Sequence, residues 1–214
     1  MHLLSFIAER KYLMHLSLAS GLSALAGYGL TSWTASFFIR SHDMASETAL
    51  LGLWLSIGAG VFGGLGTFGF GFLSDKFGER DKRWYLWMPA IAIFICMPLV
   101  ALTLLIEDKS TALIVQLFPS MFTTGYLGAA LSVFHGAVEP RMRATASALF
   151  FLILNIVGLA FGSFIIGYLS DVLIPQFGND SLKYSMLIVV SIACVWATIH
   201  FLLGARDIQR RSLS

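Results

Sequence analysis

Eight uncharged side chains carry hydrogen-bonding or aromatic polar groups inside otherwise apolar sequence: Tyr28, Thr31 and Trp33, then Gln116, Thr123, Thr124 and Tyr126, then Asn155. None is a strong acid, base or nucleophile. Groups of this kind recognise rather than react, and a few donors and acceptors in an apolar wall suit an amphiphilic or aromatic organic ligand. The competing reading is structural: Asn155 and the threonines bond across helices or back to their own carbonyls.

Bond-breaking chemistry finds less support. Ser132 and His200 invite comparison with the serine and histidine of a six-helix membrane hydrolase, but no Gly-x-Ser precedes Ser132 to aim a nucleophile. His15, His135 and His200 fall near the ends of apolar stretches, where interfacial or packing roles outweigh proton relay. Cys96 and Cys194 have apolar neighbours and read as packing thiols without metal-ligand spacing. The sequence points away from an enzyme and calls for no cofactor.

The elements that hold these residues are legible from hydropathy. The 214 residues are 57% hydrophobic and 12% charged, with a mean hydropathy of +0.80; soluble domains carry about 25% charged residues. The 14 Lys/Arg and 12 Asp/Glu gather between or at the edges of six apolar stretches. Uninterrupted apolar runs, rather than period-two alternation, select helices over a barrel. The expected fold is an all-α transmembrane six-helix bundle with spans at Met14–Phe38, Ala49–Leu73, Tyr85–Ile106, Thr111–Gly136, Arg143–Leu169 and Tyr184–Gly204. Residues 1–13 read as a cytoplasmic interfacial segment, 14–204 as the transmembrane domain and 205–214 as a cytoplasmic tail. The N-terminus has no small-residue cleavage site of a removable signal peptide.

Charge distribution sets the expected topology. Arg10, Lys11, Lys76, Arg80, Lys82, Arg83, Arg141, Arg143, Arg206, Arg210 and Arg211 fall on one side, against Arg40, Lys109 and Lys183 on the other. The positive-inside rule then places both termini in the cytoplasm, in the plasma (inner) membrane. A net charge of +2 is too small for a nucleic-acid surface.

An internal repeat appears when the chain is cut into two triplets of helices. Gly71-Phe72-Leu73-Ser74-Asp75 closes the second helix and Gly167-Tyr168-Leu169-Ser170-Asp171 the fifth. The matching ends fall on opposite membrane faces, which is the arrangement of a 3+3 inverted repeat. Glycine placement predicts helices one, two, four and five as the packed interior and helices three and six as lipid-facing struts.

Asp75 offers an anion to a neighbouring helix N-terminus, a contact worth about 0.3–1 kcal/mol and able to latch one conformation. Its surroundings, Gly71-Phe72-Leu73-Ser74-Asp75-Lys76-Phe77-Gly78-Glu79-Arg80, resemble the signature loop of the major facilitator superfamily, with Glu79 in place of one closing basic residue. Gly27-Tyr28-Gly29, Trp33, Phe37 to His42, and Pro140-Arg141-Met142-Arg143-Ala144 resemble the spinster-related branch, specifically its C-terminal six-helix half. The resemblance implies a secondary transporter working by alternating access on a small organic or amphiphilic solute. It implies that Tyr28, Thr31, Thr123, Thr124 and Tyr126 face the cavity. It also implies that Gly71, Asp75, Lys76, Gly78 and Arg80 form a gating loop, with Arg141 and Arg143 at the start of the helix that receives the other half's loop.

The expected partners are the lipid bilayer, a small-molecule substrate, and the other six helices, supplied by an N-terminal half, a partner subunit or a second copy. The alternative is a non-transporting fragment or membrane scaffold, because one half encloses no central path alone.

Overall fold

The computed structural model describes residues 10–212, with side chains through Ile208. The expected interfacial segment, apart from its last few residues, lies outside the described residues. Six crossing helices follow: α1 (Lys11–Ser41), α2 (Met44–Gly78), α3 (Trp84–Leu105), α4 (Lys109–Ala137), α5 (140–177) and α6 (Ser181–Ser212). The apolar run Pro140–Ile208 is nearly continuous helix, yet it is two spans. Gly178, at φ +53°, ends α5 in a conformation that favours glycine, and the chain turns back. Ser185 Oγ donates to the Ile166 carbonyl at 2.5 Å and the Phe177 and Tyr184 rings meet at 4.3 Å, closing this hairpin.

The helices overrun the expected spans at most ends, because hydropathy marks the hydrocarbon edge and the backbone continues through the interface. Asp75, Lys76 and Gly78 accordingly belong to the last turns of α2 rather than to a loop, and residues 205–212 continue the helix of α6. Pro89 and Pro98 sit within an unbroken α3. Around Pro119, α4 is interrupted at Gln116 and again at Gly125–Tyr126.

The inverted repeat is written into the packing with a constant offset of 96 residues, the separation of Gly71 and Gly167. Gly66 of α2 packs against the Met121 carbonyl of α4; its equivalent, Gly162 of α5, lies against the Leu25 carbonyl of α1, where an added Cβ would sit 2.6 Å away. Gly125 packs on Phe70, and Gly29 packs on Ile166. Gly27 packs on Thr123, its own equivalent, so this contact marks the pseudo-two-fold axis. Even the π-helical turns correspond: Gly58–Phe62 in α2 and Leu154–Ala160 in α5 begin 96 residues apart. Each repeat therefore lends its second helix to the first helix of the other.

One expectation is corrected. Helices α3 and α6 are not outlying struts: Ser185, Met186, Val190, Cys194, Ala197 and Phe201 of α6 and Leu86, Ile93 and Cys96 of α3 are fully buried. The glycine-rich α2 is the outlying helix, with 22% of its apolar window buried against 61% for α1. Gly58, Gly63 and Gly66 pack on α4, whereas Gly52, Gly60, Gly64, Gly69 and Gly71 meet open space. Small residues permit close approach without saying which neighbour approaches.

Candidate functional site

Three places gather the predicted residues. The first is a cavity of about 90 Å³ inside the bundle, in the half remote from the termini, lined by α1, α2, α3 and α4 with Met186 of α6. Its polar lining comprises Thr31, Thr34, Thr103, Gln116, Ser120 and Thr123. Thr103, Gln116 and Thr123 are buried, and Thr31, which is exposed, marks where the space opens. The sequence reading named Thr31, Gln116 and Thr123. It missed Thr34, one turn from Thr31, and Ser120, one turn from Gln116; helical spacing carried that signal. Thr103 was missed because it comes from a helix assigned to lipid.

Other predicted residues serve as ties between helices. Trp33 Nε1 donates to the Ser163 carbonyl at 2.9 Å, and Thr124 Oγ1 donates to the Gly63 carbonyl at 2.9 Å, where the α2 π-turn ends. Tyr28 packs over Gly158 on α5, with the buried Tyr126 nearby. Asn155 stands apart on the exposed side of α5, its Nδ2 donating to the Phe151 carbonyl at 2.7 Å. Ser32 and Ser163, absent from the sequence reading, share a 2.7 Å hydroxyl bond on the exposed surface between α1 and α5.

The second place is a pair of symmetry-equivalent stripes without a neighbour. Along α2, Gly60, Gly64, Phe68, Phe72 and Asp75 recur at helical spacing; along α5, the positions 96 residues on are Ile156, Ala160, Phe164, Tyr168 and Asp171. Phe68 is 82% exposed, Phe72 66%, Phe164 66% and Tyr168 63%, and each stripe ends in an exposed aspartate. Contiguous apolar surface of this extent marks an interaction face or a lipid contact.

The third place is the end that holds both termini. Tyr85 donates its hydroxyl to the Asp75 carboxylate, and Gly78 lies flat against the Tyr85 ring, so the motif is braced on the start of α3. Lys76 and Arg80 are exposed. Asp81 is fixed by Arg83, whose Nε donates at 2.7 Å and whose guanidinium holds the carboxyl below its usual range. Arg141 pairs with Glu139 at 2.7 Å, and Arg143 Nε donates to the His135 carbonyl at 3.2 Å.

The candidate hydrolytic pair is not assembled. The His200 ring bonds to His15, Nδ1 to Nδ1 at 2.9 Å, while Ser132 lines a separate space with Tyr12 and Tyr85. Cys96 and Cys194 are free, buried and in contact with each other, as packing thiols are.

No family model matches the chain. It is 32% identical over 182 residues to an MFS-type efflux pump of Mycolicibacterium smegmatis (strain ATCC 700084 / mc(2)155), a match spanning 85% of this chain and 42% of that protein. Its structure superposes on a bacterial homolog of the human lysosomal transporter Spinster. In the inward-facing unoccupied conformation the TM-score is 0.82, at 24% identity, over 96% of this chain and 50% of the other. In the occupied conformation the TM-score is 0.79, at 23% identity, over 94% and 50%. The chain thus spans about half the length of the relatives it matches.

Proposed function

The chain is an integral membrane protein with the major facilitator fold, one six-helix half of it, and from that premise we propose that it acts as the C-terminal half of a transporter. It moves a small organic or amphiphilic solute by alternating access, together with six further helices. The observation that carries this reading is the pair of exposed stripes on α2 and α5. They are related by the internal two-fold, so a second half built the same way can engage both with one repeated geometry. Asp75 and Asp171 end the two stripes at opposite ends of the bundle, where latches for two alternative closures belong.

In this arrangement the end holding both termini faces the cytoplasm, following its excess of Lys and Arg. Ser32, Ser163 and Asn155 present neutral hydrogen-bonding groups near the stripes, and Thr31 and Thr123 bring the inner cavity close to the same wall. Tyr28, Trp33, Thr124 and Tyr126 hold that wall in shape. Arg141 and Arg143 stand where the other half's loop would meet the start of α5.

The test uses single cysteines, Phe68→Cys and Phe164→Cys, in a chain carrying Cys96→Ala and Cys194→Ala. Oxidative cross-linking to a separately expressed six-helix half, or to a second copy, is expected at both positions. Flux of a fluorescent amphiphile in proteoliposomes should appear only with the cross-linkable assembly. Absence of cross-links with either partner, together with no flux, overturns the reading. Reporter fusions finding the two termini on opposite sides overturn the topology.

A further inference from the structure

In the cavity among the far halves of α1 to α4, most side-chain donors are committed to helix backbone. Thr31 Oγ1 donates to the Gly27 carbonyl at 2.9 Å, Thr34 to Leu30 at 2.7 Å, Thr103 to Leu99 at 3.0 Å and Thr123 to Ser120 at 3.2 Å. Gln116 Nε2 donates to the Trp54 carbonyl at 3.3 Å. A hydroxyl has one proton and two lone pairs, and an amide oxygen has lone pairs only. With these five donors engaged on backbone, the four threonine hydroxyls and the Gln116 amide oxygen have lone pairs to offer, beside two remaining donors, the second Gln116 N–H and the Ser120 hydroxyl. Pro119, in the same lining, has no N–H and so adds no backbone donor there.

We infer that this cavity is a binding site for a small monovalent cation, of which sodium is the representative. Neutral oxygens can replace the hydration shell of such an ion inside a membrane protein. The lining contains no carboxylate, which argues against a divalent ion, because calcium and magnesium sites rely on carboxylate oxygens. An anion would meet lone pairs. At about 90 Å³ the space holds a few water-sized groups and no drug-sized molecule.

The internal repeat supplies a control. If the polar lining were a by-product of building this fold, its counterpart 96 residues away would be polar too. Instead Thr31 corresponds to Leu127, Thr34 to Ala130, Ser120 to Ala24 and Thr123 to Gly27; only Gln116 has a polar equivalent, Ser20. The scaffold tolerates apolar residues at these positions, so the oxygens on one side answer to something other than the fold.

The experiment uses the purified 214-residue chain in detergent and reads binding, so its outcome is independent of whether the assembled transporter moves solute. Melting temperature is followed in sodium chloride, potassium chloride and choline chloride at constant ionic strength, with equilibrium binding of radioactive sodium alongside. Sodium is expected to raise the midpoint saturably, by about 5 °C over choline at saturation. Thr103→Val and Thr123→Val, each close in volume, are expected to abolish that increment and the bound radioactivity while leaving the midpoint in choline within about 2 °C of the parent. Identical melting in all three salts with no bound sodium overturns the inference, as does a sodium increment that persists undiminished in both variants. Should one valine variant fold poorly, the other and Gln116→Glu decide: a carboxylate there is expected to tighten sodium binding, and unchanged affinity counts against the site.

Discussion

The two three-helix repeats share a backbone and differ in what they display. Both use a glycine to bring the second helix against the backbone of the other repeat's first helix, Gly66 on Met121 and Gly162 on Leu25. Both carry a π-turn at the same register and both end an exposed aromatic stripe in aspartate. Yet the aspartate of the first repeat is followed by Lys76 and Arg80, and that of the second by Val172, Leu173 and Ile174. The oxygen-lined cavity likewise finds a polar equivalent in the other repeat only for Gln116, at Ser20. Conserved packing with divergent chemistry separates what the fold requires from what a function requires, inside one molecule.

The largest expected effect breaks the shared part. Gly66→Ala places a methyl into the Met121 backbone, which no rotamer change relieves, so a loss of about 3 kcal/mol and a drop of about 8 °C in melting temperature are expected. Gly162→Ala meets the Leu25 carbonyl at 2.6 Å and should cost somewhat less, about 2 kcal/mol. Gly64→Ala faces open space and should leave the isolated chain unchanged or stabilise it by up to about 1 kcal/mol through helix propensity. If the open stripe is the docking face, the same Gly64→Ala weakens assembly with the second half. Equal melting for all three variants would mean that the two repeats are not held together by these approaches.

A second prediction sharpens the divergent part. In a complete assembly, Asp75→Asn should reduce transport about fivefold while membrane insertion is unchanged, the size of a lost contact of about 1 kcal/mol with a helix N-terminus. Asp171→Asn, without neighbouring basic residues, should reduce it less than twofold. Uptake kinetics that respond equally to both would erase the distinction between the two aspartates.

How far the sequence announced this comparison follows from physical range. Apolar length and charge placement mark six helices because lipid imposes both on each segment separately. The repeat was visible as Gly-x-Leu-Ser-Asp, since the same local packing demand recurs: Ser74 and Ser170 are both buried and Asp75 and Asp171 both exposed. Helix partners were not visible. Nine glycines on α2 look alike in sequence, and only tertiary placement distinguishes Gly66, against Met121, from Gly64, against nothing. Thr103 and Ser120 escaped for the same reason, as hydroxyls given meaning only by a cavity assembled from separate helices. Trp33 and Thr124 stand out in sequence as polar groups in apolar helices, and both are half-buried, but polarity alone does not say whether the partner is a ligand or the Ser163 and Gly63 carbonyls they meet.

The smallest expected effect concerns how the two repeats begin. Helix α4 opens on Asp108, whose carboxylate accepts from the Thr111 N–H at 2.7 Å and from the Thr111 hydroxyl at 2.6 Å. Helix α1 opens on Arg10 without a side-chain cap. The bonds from Thr111 hold the Asp108 carboxyl below its usual value of 3.8. A carboxylate with a lowered folded-state pKa stabilises fully above its unfolded value, and that stabilisation fades as pH falls through the lower one. Asp108→Ala should therefore lower the midpoint by about 2 °C at pH 7, and the difference between parent and variant should shrink below about pH 4. Asp108→Asn retains an accepting oxygen for the Thr111 N–H and should recover most of the loss at neutral pH. A gap between parent and Asp108→Ala that widens on acidification would contradict the cap.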